Sequence, residues 1–62
     1  NFKGYLNKYR AQKAKELLEE NPNIKIKDLA IRVGYYNVNS FIRMFKKYEG
    51  TSPGEYAKRI KE

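Results

Sequence analysis

Apolar residues return every three or four positions along the first third of the chain. Lys and Glu fill most of the gaps, a pattern typical of one long amphipathic helix over residues 2–20. Asn21 and Pro22 follow, and we expect the helix to end there because a proline disfavours helical geometry in the residue before it. The face predicted to be buried consists of Phe2, Tyr5, Leu6, Tyr9, Ala14, Leu17 and Leu18.

A second, shorter stripe of apolar residues runs from Ile26 to Val33. Asp28 lies in its first turn, where a negative charge interacts favourably with the helix dipole. Gly34 stands where the helix should end, since glycine readily adopts the left-handed conformation of a C-terminal cap. The pattern predicts a helix of about two turns.

The third helix is predicted from Asn37 to Tyr48. The side-chain oxygen of Asn37 can accept hydrogen bonds from the free amides of the first turn, and Gly50 can close the last turn. At 100° per residue, one broad side of this helix is apolar. That side consists of Val38, Phe41, Ile42, Met44, Phe45 and Tyr48.

The start of a fourth helix is the strongest local signal in the chain. Ser52 is placed as N-cap, Pro53 as first helical residue and Glu55 as the returning arm of a capping box. Tyr56 and Ile60 are four residues apart and should hold this helix against the core. Since no segment shows the alternation of a strand, the predicted fold class is all-α with four helices.

The distribution of charge along the chain indicates what kind of partner it binds. The 62 residues include 14 Lys+Arg and 7 Asp+Glu, and the net charge of +7 favours anionic partners. Residues 25–48 hold six cations and one anion, so most of the excess lies on the second and third helices. Two short helices joined by a glycine-containing turn have the outline of a helix-turn-helix unit, although a merely solvated helical hairpin would explain the charge equally well.

The polar face of the third helix favours the first of these readings. It contains no acid, whereas a solvated helix face usually pairs Glu with Lys three or four residues apart. Asn and Arg can bond bases bidentately, and lysines suit phosphates. The face consists of Asn39, Ser40, Arg43, Lys46 and Lys47.

Absent residue types exclude other functions. The chain has no Cys and no His, which removes the usual zinc ligands, thiolate nucleophiles and imidazole bases. We therefore expect no metal, no cofactor and no enzyme activity. No apolar run approaches the about 20 residues of a membrane span, so we expect no membrane partner and a cytoplasmic location.

The segment from Gly34 to Tyr56 resembles the signature of the AraC/XylS-type bacterial transcription regulators. The matching positions in it are Gly34, Tyr35, Phe41, Arg43, Phe45, Lys46, Lys47, Gly50, Ser52, Pro53 and Tyr56. Upstream, the segment around Tyr5, Leu6, Arg10, Ala14, Leu17 and Leu18 is similar to the linker helix of that family. Ile26, Asp28, Leu29 and Ala30 are similar to the first helix of its second helix-turn-helix. Two departures are Ser40, where members often have an aromatic residue, and Ala57, where they often have Arg.

The resemblance implies a homeodomain-like arrangement with a linker helix (1–21), a helix-turn-helix (25–48) and a C-terminal helix (52–62). It implies sequence-specific binding of double-stranded DNA, with the recognition helix (about 37–48) in the major groove. It also implies a larger regulator with another helix-turn-helix and a sensor or receiver domain. The lysine- and tyrosine-rich composition looks most like that of response-regulator members, and RNA polymerase is a further expected partner. The base-reading residues carried over by position are Val38, Asn39, Ser40 and Arg43.

Phosphate contacts are expected from cations near helix ends and along the polar face. For the lysines of the second helix, simple exposure to solvent is the alternative. The expected set is Lys25, Lys27, Asn37, Lys46 and Lys47.

Four further positions carry alternatives. Val38 could belong to the core or touch a thymine methyl group. Arg10 is expected to have a structural role rather than to contact DNA. Tyr35 is expected to plug the space between helices, and the role of Tyr36 stays open.

Two rival functions compete with DNA binding. The basic third helix could dock on an acidic protein surface, such as an RNA polymerase subunit. Peripheral membrane binding is disfavoured because the apolar side of the third helix is needed for the core.

Overall fold

The computed structural model describes the backbone of residues 2–61 and the side chains of residues 6–61. Four helices are present, and no strand occurs within residues 2–61, which confirms the all-α prediction. Phe2 and Tyr5, predicted for the buried face, lie outside the described side chains. The helices are α1 (Phe2–Glu20), α2 (Ile26–Arg32), α3 (Val38–Glu49) and α4 (Pro53–Lys61).

The ends of α3 follow the local chemistry predicted for them. The Asn37 side chain accepts from the amides of Asn39 at 2.9 Å and Ser40 at 3.1 Å. At the other end Gly50 has φ +78, and its amide donates to the Lys46 carbonyl at 2.8 Å. Capping by a side chain and by a left-handed glycine therefore fixes where α3 begins and ends.

The ends of α2 and α4 differ from prediction in small ways. Val33 is the C-cap of α2 rather than its last residue, because its backbone (φ −95, ψ 4) has left the helical region. Ser52 Oγ accepts from the Glu55 amide at 3.2 Å, as a capping box requires. The second bond of a capping box, in which the Ser52 amide would donate to the Glu55 carboxylate, is not formed among the described residues.

The core lies where all four helices meet. Leu18, Leu29, Phe41 and Phe45 are fully buried. A run of aromatic rings crosses it, with centroids 6.0 Å apart for Tyr35–Phe41, 6.0 Å for Phe41–Phe45 and 5.9 Å for Phe45–Tyr56. Tilted and edge-on contacts of this kind are the favoured arrangement of aromatic pairs. The remaining buried apolar residues are Ala11, Ala14, Ala30, Val33, Met44 and Ala57.

One predicted core position on α1 is wrong. Tyr9 is 58% exposed and lies between a groove shared with Tyr48 and a groove shared with Arg32. The buried face of α1 instead includes Ala11, which is fully buried. The spacing of the large apolar residues does not predict this position. Tyr9 lies about 160° around the helix from Ala11, since each residue advances by about 100°.

The predicted roles in α4 are confirmed. Pro53 and Ala57 are buried, and Tyr56 and Ile60 are partly buried against the core. Ala57, one of the two departures from the family pattern, is thus a packing residue in this chain. The cations Lys58, Arg59 and Lys61 are exposed.

Two polar contacts tie α1 to the later helices. Lys15 Nζ forms an ion pair with Glu49 Oε1 at 3.1 Å, and the Tyr56 hydroxyl donates to Glu19 Oε1 at 2.9 Å. The Glu49 hydrogen bond raises the pKa of Lys15 above its ordinary value. Burial, followed by the hydrogen bond to Glu19, raises the pKa of Tyr56. Each contact thus favours the protonated form of its donor.

None of the helices within residues 2–61 combines the length and the apolar character needed to cross a membrane.

Candidate nucleic-acid interface

The helix α3 has one buried and one exposed face. Phe41, Met44 and Phe45 anchor the buried face in the core. The opposite face spans roughly 120° of the helix surface at 100° per residue and contains no carboxylate. All five of its residues are exposed, as predicted from the sequence: Asn39, Ser40, Arg43, Lys46 and Lys47.

This face combines two kinds of chemistry along the helix. Asn39, Ser40 and Arg43 occupy the first half. Asn39 and Ser40 can donate to or accept from base edges, and Arg43 can donate to them. Lys46 and Lys47 lie in the last turn, where a cation also interacts favourably with the helix dipole. The arrangement can form hydrogen bonds at one end and hold negative charge at the other.

The N-terminal edge of α3 brings in two further predicted residues. Asn37 is exposed, and its side-chain oxygen is occupied by the two capping bonds, which leaves the amide group as its available donor. Val38 is partly exposed and packs against the core cluster. Its alternative role, contact with a thymine methyl group, depends on the exposed part of the same side chain.

The lysines of α2 lie on a separate element. Lys25 is the N-cap residue of α2 and forms no side-chain capping bond, and both Lys25 and Lys27 are exposed. The first-turn amides of α2 and these two cations together produce a positive end, offset in part by Asp28. The structure therefore places the predicted cations in two groups, one on α3 and one at the start of α2.

The turn between α2 and α3 is held by α1. The Tyr35 hydroxyl donates to Asn7 Oδ1 at 2.7 Å, and its amide donates to the Ala30 carbonyl at 2.8 Å. The Arg10 guanidinium carbon lies 5.3 Å from the centre of the Tyr35 ring. These contacts agree with the structural roles predicted for Tyr35 and Arg10, and they fix the direction in which α3 leaves the turn.

Gly34 makes this turn possible. Its φ of +99 is a conformation that side-chain-bearing residues rarely adopt. A Cβ at this position would lie 3.4 Å from the Arg10 guanidinium, an ordinary van der Waals distance. The requirement for glycine therefore comes from the backbone conformation of the turn.

The sequence leaves the role of Tyr36 open, and the structure separates Tyr36 clearly from Tyr35. Tyr36 is fully exposed, at 101% of the reference value, directly before the N-cap of α3. Because Tyr36 lies in the turn before α3, the periodicity of the helices does not predict its exposure.

Carboxylates are few around this surface. Glu19 and Glu49 are engaged with Tyr56 and Lys15, on the side of the molecule where α1 meets α3 and α4. Within residues 2–61 no three acidic side chains come together in a way that could hold a metal ion.

The fold and this surface define a helix-turn-helix domain, in which α2 and α3 are the two helices of the motif and α1 and α4 support them. A family model described as a helix-turn-helix domain matches residues 1–59. The chain belongs to this family of AraC-type helix-turn-helix domains.

Several bacterial proteins are similar to this chain. An uncharacterised HTH-type transcriptional regulator of Bacillus subtilis, YtdP, is 44% identical over 55 residues, which cover 89% of this chain and 7% of that protein. A second, YijO of Escherichia coli, is 38% identical over 58 residues, 94% of this chain and 20% of that protein. The chain thus spans a fifth or less of the length of these relatives. No solved structure matches it.

Proposed function

We propose that this chain binds double-stranded DNA sequence-specifically, as a helix-turn-helix of a bacterial transcription regulator, with α3 in the major groove. The observation that carries the proposal is the exposed, acid-free face of α3 on a helix whose opposite face is fixed in the core. A helix of this diameter fits the major groove, and its exposed donors then face base edges. The names of the bacterial relatives, which are transcriptional regulators, support the same function.

Base reading is assigned to the first half of α3. Arg43 can bond guanine through two donors, and Asn39 can bond adenine through its amide. Ser40 can donate to or accept from either kind of base edge. Val38 contributes its exposed part to contact with a thymine methyl group while the rest packs on the core.

Phosphate binding is assigned to the flanking cations and to one amide. Lys46 and Lys47 hold the backbone from the last turn of α3, and Lys25 and Lys27 hold it from the start of α2. Asn37 donates its side-chain amide while its oxygen keeps the cap. These contacts set the position of α3 in the groove and carry no sequence information.

The wider setting is part of the proposal. The small share of the relatives that this chain covers supports a larger regulator, in which α1 links this unit to another helix-turn-helix and a sensor or receiver domain. In such a protein RNA polymerase is a further partner. A regulator of bacterial DNA acts in the cytoplasm and needs no enzyme activity of its own.

The experiment that tests base reading selects bound sequences from a pool of random duplexes at two salt concentrations. We expect a short motif to be enriched. Arg43→Ala should cost about 1–3 kcal/mol of binding free energy at the selected site and relax preference at one base position. Equal losses on the selected and scrambled duplexes would argue against base reading by Arg43.

Phosphate contacts are tested by a pair of lysine variants. Lys46→Ala should weaken binding to all duplexes alike and reduce the slope of log affinity against log salt by about 0.9. Lys58→Ala on α4 is the matched control, since Lys58 is also exposed but lies outside the proposed surface. If both variants act alike, the cations contribute only through overall charge.

A further inference from the structure

The fold uses only one of its two adjacent tyrosines. Tyr35 is bonded to Asn7 and packs near Phe41. Tyr36 has no side-chain hydrogen bond and no aromatic partner among residues 6–61, and it is far more exposed than Tyr9, at 101% against 58%. Packing therefore gives no reason for an aromatic residue at position 36.

The backbone on both sides of Tyr36 is fixed. Before it, the Tyr35 amide bonds the Ala30 carbonyl and Gly34 holds its left-handed conformation. After it, Asn37 closes the first turn of α3 with two bonds. A tyrosine has only two side-chain dihedrals to order on a partner, so an exposed tyrosine in this setting is suited to binding.

The chain segment around Tyr36 carries no negative charge that would repel an anionic partner. No acidic residue occurs from Leu29 to Tyr48, so the ring stands in the middle of an acid-free stretch of chain. Asn39 and Ser40, in the first turn of the following helix α3, are exposed. The phenol can donate a hydrogen bond to an anionic oxygen, while the ring offers an apolar surface.

We propose that Tyr36 binds the sugar-phosphate backbone at the edge of the major groove, with its hydroxyl donating to a phosphate and its ring against a deoxyribose. This inference rests on the proposed function, because entry of α3 into the groove brings Tyr36 to that edge. The major groove is about 12 Å wide and a helix with its side chains about 10–12 Å across. The helix therefore fills the groove, and the segment that leads into its N-terminus lies beside a backbone strand.

The test measures the affinity of the 62-residue chain for its selected duplex, a scrambled duplex and a single strand. Tyr36→Phe should weaken binding to both duplexes by the same factor, about tenfold, because it removes one hydrogen bond to a charged group. Tyr36→Ala should weaken binding further, since the ring contact is lost as well. The ratio of the two duplex affinities should not change, because a backbone contact reads no sequence.

Two controls make the test specific. Tyr9→Phe removes the same hydroxyl from an exposed tyrosine on α1 and should leave the affinity unchanged. Single phosphates of the duplex are then replaced by neutral methylphosphonates. At the phosphate bound by Tyr36, the difference between the wild-type chain and Tyr36→Phe should disappear.

The possible outcomes separate this inference from the function on which it rests. If both Tyr36 variants keep wild-type affinity while Arg43→Ala still weakens the selected site, the inference is overturned and the proposed function stands. A loss confined to the single strand assigns the ring to base stacking and also overturns the inference. A wild-type chain without preference among duplexes overturns the proposed function, and the inference with it.

Discussion

Replacing Asn37 by Ala and by Asp should separate its capping role from its proposed role in phosphate binding. The Asn37 oxygen accepts from two amides of the first turn of α3, at 2.9 and 3.1 Å, and the side chain is exposed. Alanine removes both bonds. Aspartate keeps an oxygen acceptor in the same place and adds a negative charge at the surface assigned to phosphate binding.

The stability changes follow from the capping geometry. Loss of an N-cap costs about 1 kcal/mol of unfolding free energy, and the freed amides of α3 can still bond water. For a domain of this size, 1 kcal/mol lowers Tm by about 4–8 °C. Aspartate is as good an N-cap as asparagine and interacts favourably with the helix dipole, so Asn37→Asp should keep or raise Tm.

The expected order of the two variants in DNA affinity differs from their order in stability. Asn37→Asp should weaken binding to all duplexes by about tenfold at 0.1 M salt and flatten the salt dependence, since one added negative charge offsets one phosphate contact. Asn37→Ala should weaken binding less, through loss of the side-chain amide. Thermal melts followed by circular dichroism and fluorescence anisotropy on the same samples measure both quantities.

Either of two results would refute part of this reasoning. If Asn37→Asp is both more stable than the wild-type chain and equally tight on DNA, Asn37 does not face phosphate. If Asn37→Ala leaves Tm unchanged, the two capping bonds contribute nothing measurable to α3.

Two further changes test the backbone and the electrostatics of the fold. Gly50→Ala should destabilise the chain by about 1–2 kcal/mol, since φ is +78 there and strain is the only cost, with no atom within 4 Å of the added Cβ. Gly54→Ala, in the first turn of α4 and equally open, is the control and should keep or raise Tm, and equal effects of the two would refute the strain argument. Because the pKa of Tyr56 is raised above 10.0, its contribution to stability is present below that pH and lost as pH rises through the folded value. Urea titrations between pH 8 and 12 should show a shallower alkaline loss in Tyr56→Phe, and an identical loss would contradict the assignment.

Helix ends could be predicted from the sequence because capping is local. Asn37, Gly50 and Ser52 each act on atoms within about one turn of the chain, so residue type and spacing determine the outcome. The exposed face of α3 was predictable for a related reason. Its buried residues are large and apolar, so the position of the core fixes the opposite side.

Contacts between distant residues could not be predicted in this way. The bond between Tyr35 and Asn7 spans 28 positions, and the bond between Tyr56 and Glu19 spans 37. Tyr9 and Ala11 show the same limit within one helix, because a large exposed residue and a small buried one reverse the usual relation of size to burial. The side on which α1 packs depends on its partners, which periodicity does not contain.

The candidate site could be predicted in composition but not in arrangement. The residue types on α3 predict hydrogen bonding to bases and phosphates, and the position of Lys25 and Lys27 at a helix start predicts phosphate contacts. How the turn directs α3 depends on Asn7 and Arg10 of another helix. The full exposure of Tyr36 beside the partly buried Tyr35 likewise depends on the tertiary structure.

The division of α3 between a buried and an exposed face has a consequence for how such a unit can change specificity. Substitutions at Asn39, Ser40 and Arg43 remove no core contact, so their cost to folding should be small and, under the proposed function, their effect should fall on binding. The direction of α3 is set elsewhere, by Phe41 and Phe45 in the core and by α1 at the turn. The residues that position α3 are therefore distinct from those proposed to contact bases, and a new set of side chains on the exposed face would keep the same position of the helix.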